Sequence, residues 1–185
     1  VINPMPTLDE LKALLGEETK DLRLNLANVL DSGDLEPGER YAIAFASALF
    51  LRDAALAEAV RTQAADHLST EAVSDAKASA AIMGMNTVYY RFRHMIGKES
   101  YSQRQAGLRM SRMARPATSK KLFELCSMAC AALAGCEACI RAHEQSLLNE
   151  GVTEDRIHQV IRIAAVVQGV AIAASSSQVG LPQGS

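Results

Sequence analysis

The sequence predicts an all-α fold, a multihelical bundle, and three observations carry that expectation. Helix start and stop signals recur along the chain with no convincing strand between them. Apolar residues repeat at helical spacing rather than alternating. Alanine is abundant, aromatic residues make up only 4% and tryptophan is absent, a composition suited to closely packed helices.

Each element follows in order. Thr7 and Glu10 form a capping-box pattern ahead of Leu11, Leu14 and Leu15. Lys20 to Leu30 carries Leu22, Leu26 and Val29 on one stripe, and Asp31-Ser32-Gly33-Asp34 breaks it. Pro37 starts a helix through Tyr41, Phe45 and Leu49, and another follows from about Ala54 to His67. Ser69 or Thr70 caps a long helix ending near Gly97, within which Gly84 is expected to let another helix approach closely. Lys98 to Arg115 carries no clear pattern. Pro116 begins the segment that leads into a helix over Phe123 to Ala134, which Gly135 stops and after which Cys136 opens the next. Gly151 ends that helix, Thr153 caps the last one through Ala174, and Ser175 to Ser185 reads as a tail.

At 185 residues with 49% hydrophobic content, the chain is expected to form one domain over residues 1–185 with a sizeable core. A weak internal repeat suggests two halves, at about 36–97 and 117–176. Leu68-Ser69-Thr70-Glu71 and Gly151-Val152-Thr153-Glu154 each precede an Ala-rich helix. In that register Tyr41 falls opposite Glu124, Asp53 opposite Cys136 and Val60 opposite His143, so the first half lacks a thiol. A net charge of −2 with interspersed signs gives no electrostatic footprint for nucleic acid or an anionic membrane. The sequence has neither an N-terminal basic-plus-apolar signal nor an uninterrupted apolar stretch of membrane length, so a reducing, cytoplasmic setting is expected. There a Cys-x-x-Cys pair points to catalysis or metal binding rather than to a structural staple.

The chemistry concentrates at Glu124, Cys136-Glu137-Ala138-Cys139 and His143. On a helix, Cys136 and Cys139 at i and i+3, and Cys139 and His143 at i and i+4, share one face. A rise of about 1.5 Å per residue separates the two cysteines by roughly 4.5 Å along the axis, which a disulfide tolerates. A thiol in the first turn of a helix meets unpaired amides that favour its thiolate. If Gly135 turns the chain into a hairpin, Glu124 lies about 16 Å before the corner and His143 about 12 Å after it, a mismatch one bridging water would span. A carboxylate that orients an imidazole, which takes a proton from a thiol, is a familiar layout for activating a nucleophile.

The run Glu-x11-Cys-x-x-Cys-x3-His resembles the alkyl hydroperoxidase D (AhpD) family of all-helical thiol peroxidases, within the carboxymuconolactone decarboxylase-like superfamily. The likeness extends to Lys20-Asp21-Leu22-Arg23-Leu24-Asn25-Leu26, to the stretch from Asp66-His67-Leu68-Ser69 to Met83-Gly84-Met85-Asn86-Thr87-Val88-Tyr89-Tyr90-Arg91, and to Gly107-Leu108-Arg109-Met110, Phe123-Glu124-Leu125 and Gly135-Cys136 to His143-Glu144. The resemblance implies a disulfide enzyme that reduces organic hydroperoxides and serves as reductant of a peroxiredoxin partner. It further implies a homo-oligomer, a trimer in the family, with no bound cofactor and an external dithiol such as a dihydrolipoamide-bearing protein as electron donor. By the same resemblance Cys139 is the peroxide-attacking thiol, Cys136 the resolving and exchanging thiol, and Glu124 and His143 the proton relay. Well-known members carry a second histidine immediately before the second cysteine, where this chain has Ala138.

Other readings compete for the same residues. Cys136, Cys139 and His143 supply three ligands of a structural zinc site, with Glu124 or Cys130 required as a fourth. A cofactor-free decarboxylase of the carboxymuconolactone type would not need the cysteine pair. Cys126 and Cys130, at i and i+4 on an apolar helix, read as small core residues. His67, His94 and His158 read as surface or hydrogen-bonded histidines, and Met83, Met85, Met95, Met110 and Met113 as core filler.

Overall fold

Thr7 accepts a hydrogen bond from the Glu10 amide while the Glu10 carboxylate takes one from the Thr7 amide. This capping box opens α1, Leu8–Leu14, in the computed structural model, which describes residues 5–176. A 3-10 turn over Glu17–Thr19 runs into α2, Lys20–Asp31, which buries Leu26, Val29 and Leu30. The break after α2 is held from a distance. Gln159 donates to the Ser32 carbonyl at 2.7 Å and accepts from the Leu35 amide at 3.0 Å. Gly33, at φ 114, lies so close to that side chain that a Cβ would overlap it.

Pro37 stands at the start of α3, Pro37–Phe50, and Asp53 caps α4, Ala54–Gln63, by accepting from the Leu56 amide. The expected extension of α4 to His67 is not observed. Residues 64–67 form a turn, and His67 stacks on Tyr41 with ring centroids 5.5 Å apart. Ser69 caps α5, Thr70–Ile96, whose end is marked by Gly97 in the left-handed region. The patternless stretch after it holds two short helices, α6 at Glu99–Ser102 and α7 at Ser111–Ala114. Then come α8, Lys120–Leu133, capped by Ser119, α9, Glu137–Asn149, and α10, Glu154–Ser176. Ser175 and Ser176, expected in a tail, belong to α10. The rest of that tail, residues 177–185, lies outside the described residues.

No strand occurs among the described residues. The centre is α3 and α8, which pack on each other and on both α5 and α10. Both central helices bury nearly continuous runs, Glu39–Ala48 and Phe123–Ala131, in which alanine, serine and cysteine keep side chains short. Where α5 crosses α8, the fully buried hydroxyls of Ser79 and Ser127 meet at 3.0 Å. The buried charges have partners: Arg40 donates to the Leu30 and Leu35 carbonyls. Glu39 meets Lys121 at 2.7 Å and Arg156 at 2.6 Å. Burial disfavours its ionisation, but these partners outweigh it and hold its carboxyl below the usual range.

One further expectation changes. Gly84 does not mark a close helix approach; it is exposed, and a Cβ there would meet nothing within 4 Å. α10 is long and apolar enough to cross a membrane by length and composition alone, although Arg162 interrupts its apolar run. Its apolar residues serve the bundle: Ile157, Val160, Ile163, Val167 and Val170 are buried, and the helix packs on α2, α3 and α8.

Candidate active site

Gly135, at φ 61, turns the chain between α8 and α9, and the Cys136 amide closes the turn on the Ala131 carbonyl at 3.1 Å. The helices then run antiparallel. Lys120 near the start of α8 reaches Glu150 beyond the end of α9 at 2.9 Å, and Glu124 reaches His143 at 2.7 Å. The corner between α3 and α4 has the same shape. Arg52 there has φ 63, Asp53 has φ −92 and ψ 90 against −92 and 92 for Cys136, and the Asp53 amide bonds the Ala48 carbonyl. In the first corner the side chain at the cap is a carboxylate occupied with a helix amide. In the second it is a thiol that makes no capping bond.

That thiol is joined to Cys139 in a disulfide with the Cα atoms 5.3 Å apart, inside the range such a bond tolerates. Cys136 has no exposed surface and Cys139 only 6%. Behind them His143 Nδ1 lies 2.7 Å from Glu124 Oε2, with both side chains buried. The bridging water expected between these two is not needed. The side chains lean along the axis far enough to absorb the helical mismatch. A carboxylate at Nδ1 makes that nitrogen the N–H donor and leaves Nε2 as the basic nitrogen of the ring.

Cys139 and His143 open onto a pocket of about 370 Å³. Ala138 and Ala142 complete the α9 wall, Asn86 and Tyr90 of α5 face it, and Met110 and Met113 close one side. The two methionines are therefore not core filler; they line the approach to the thiol, while Met95 is 78% exposed and Met83 is fully buried. The strap that carries Met110 and Met113 is pinned through Asp75, a carboxylate on α5 with no exposed surface. It accepts from Arg112 Nε at 2.9 Å, the Ala117 amide at 2.9 Å, and the Thr118 amide and hydroxyl at 2.7 and 2.6 Å. Burial opposes its charge, but these donors prevail and keep its carboxyl below the usual range.

The other two cysteines are free and lie in the core. Burial pushes the Cys126 thiol up to about 12, aided by Asp75 and Glu39, and raises Cys130 well above its ordinary value. Neither thiol is suited to ionise. Among the described residues no three His, Cys, Asp or Glu side chains converge as a metal shell would require. His94, unpartnered by sequence spacing, meets Glu137 of α9 at 3.2 Å, and His158 is exposed. Asn86, Tyr90, Asp75 and the two strap methionines escaped the sequence reading. The available signal was the i, i+4 spacing of Asn86 and Tyr90 behind buried Met83, which sets two polar groups beside an inward-facing stripe.

Residues 100–180 match the family model described as the carboxymuconolactone decarboxylase family. The alkyl hydroperoxide reductase AhpD of Anaeromyxobacter dehalogenans is 47% identical over 169 residues, 91% of each chain. Proteins of the same name from Rhodospirillum centenum and Streptomyces avermitilis are 41% identical over 165 residues and 42% over 163. These alignments cover 89% of both chains in the first case, and 88% of this chain and 92% of the relative in the second. With identity of that level along nearly the full length of its relatives, the chain belongs to the AhpD family.

Proposed function

We propose that the protein is a thiol-dependent alkyl hydroperoxide reductase working through Cys136 and Cys139, with Glu124 and His143 as its proton relay. The observation that carries this reading is one arrangement: a redox-competent cysteine and a carboxylate-oriented histidine on the same wall of a small, largely apolar pocket. Such a pocket suits an organic group bearing one reactive polar end. In the reduced protein His143 takes the Cys139 proton, and the thiolate attacks the terminal peroxide oxygen. The S–O bond forms as the O–O bond breaks, and the leaving alkoxide takes the proton back from the imidazolium. Cys139 is then a sulfenic acid, which the Cys136 thiol displaces as water to give the disulfide.

An external dithiol, such as a dihydrolipoamide-bearing protein, restores both thiols by exchange through a mixed disulfide. The names of the relatives support peroxide reduction, and the same reading includes a peroxiredoxin partner, a cytoplasmic setting, a trimeric homo-oligomer and no bound cofactor. The test is to reduce the protein, remove the reductant and add one equivalent of cumene hydroperoxide. Conversion to the alcohol with loss of both motif thiols, reversed by dihydrolipoamide, is expected. Survival of the thiols beside unreacted hydroperoxide overturns the reading.

A further inference from the structure

Asn86 has no role in the relay, yet it sits in the pocket wall opposite Cys139 and His143 and is only 5% exposed. Its Nδ2 donates to the thioether of Met113 at 3.7 Å, a weak acceptor. Its Oδ1 is buried and has no hydrogen-bond partner among the described residues. An amide oxygen left in this state is costly, and folded interiors rarely keep one without a purpose. Much of the surrounding wall is Met110, Met113, Ala138 and Ala142, whose side chains have no N–H or O–H to offer. A buried acceptor in want of a donor therefore belongs to a residue that lines the same largely apolar pocket as the reactive cysteine.

On the reading that this is a hydroperoxide reductase, we propose that Asn86 is a substrate-positioning residue whose Oδ1 accepts a hydrogen bond from the O–O–H group and turns its terminal oxygen toward Cys139. An alkyl hydroperoxide carries one O–H donor, on the oxygen that must be attacked, and its alkyl group suits the apolar wall. The bond also survives the chemistry. When the thiolate sulfur takes the terminal oxygen, the O–O electron pair leaves with the alkoxide, which is protonated by the His143 imidazolium. The hydrogen held by Asn86 stays on the transferred oxygen and becomes that of the Cys139 sulfenic acid. Sulfur is oxidised by two electrons and the peroxide is reduced to the alcohol.

The test compares wild type with Asn86→Leu, which keeps similar bulk, and Asn86→Ala, in the reduced full-length protein. Three quantities are read: the stopped-flow rate with cumene hydroperoxide, the alkylation rate of Cys139 by iodoacetamide, and the thermal midpoint. Loss of one such hydrogen bond should slow the hydroperoxide reaction about tenfold. Alkylation, which presents no O–O–H group, should keep its rate, and the midpoint of Asn86→Leu should be at or above wild type because a buried unpaired oxygen is gone. Unchanged hydroperoxide rates in both variants overturn the proposal, as do equal losses toward hydroperoxide and iodoacetamide, which would give Asn86 a purely structural role. A wild-type protein that consumes no hydroperoxide overturns the peroxidase reading itself, and that outcome is visible without either variant.

Discussion

His143 Nδ1 and Glu124 Oε2 meet at 2.7 Å across the corner between α8 and α9, buried on both sides. If this contact prepares the histidine as a base, Glu124→Gln and His143→Gln should each slow the peroxide reaction by about 10² to 10⁴-fold. The double variant should lose little more than the worse single one, because the pair acts as a unit. Stopped-flow thiolate absorbance across pH measures this, and fully multiplicative losses would mean that the two residues act independently.

The unequal exposure of the two cysteines supports the proposed division of their roles. Cys139 faces the pocket with His143, whereas Cys136 is wholly enclosed at the helix cap. Cys139→Ser should abolish hydroperoxide consumption. Cys136→Ser should permit one attack and hold a sulfenic acid on Cys139, detectable as a dimedone adduct by mass mapping. An adduct on Cys136 in Cys139→Ser would reverse the assignment.

Asp75 ties the strap over the pocket to α5, and Asp75→Asn should weaken the fold by about 1.5–3 kcal/mol, the scale of hydrogen bonds to a charged group. Its folded carboxyl titrates below the ordinary value of 3.8. The stabilisation is therefore complete above that value and is lost as pH falls through the lower, folded one. Thermal midpoints of wild type and Asp75→Asn should accordingly converge in acid, while at neutral pH the variant should be cut faster by protease within residues 98–119. A constant gap between the two down to strongly acidic pH would contradict the ion-pair account.

Arg52 and Gly135 share the left-handed backbone at the two corresponding corners, but only one of them is glycine. Arg52→Gly should raise stability by roughly 0.5–1 kcal/mol, since the relief of about 1–2 kcal/mol is offset in part by glycine's freedom in the unfolded chain. Gly135→Ala should cost about 1–2 kcal/mol from the backbone alone, because its Cβ would meet nothing within 4 Å. Urea denaturation of both variants reads these opposite signs directly.

Ala138 forms part of the pocket wall, so Ala138→His both adds an imidazole beside Cys139 and takes up space. The rate with hydrogen peroxide should hold or gain modestly, while that with cumene hydroperoxide should fall. A ratio of the two rates unchanged from wild type would show that this wall does not meet the substrate.

The fold was legible where its signals are local. The Thr7–Glu10 capping box, Pro37, the Ser69 cap, Gly97 and Gly135 each act within a turn of their own position, and all stand where expected. The gathering of Glu124, Cys136, Cys139 and His143 was legible because a single glycine corner folds one short segment back on itself. What escaped the sequence depends on partners far along the chain. Asp75 is bonded to residues 37 to 43 positions away and Asn86 to one 27 away, and nothing in their immediate neighbours announces either. Met110 and Met113 were misread for the same reason, since whether a methionine fills a core or lines a pocket is decided by what the opposing helix leaves open.

The enclosure of the disulfide has a consequence for traffic through the protein. A sulfur with no exposed area cannot meet the flat face of another folded protein, however well their charges match. Whatever exchanges electrons with this pair must be slender: a lipoyl arm, a small thiol or an extended chain terminus able to thread past the methionine strap. Girth, more than surface affinity, would then decide which partners are served, and a peroxiredoxin would have to offer its own sulfurs on such an extended segment.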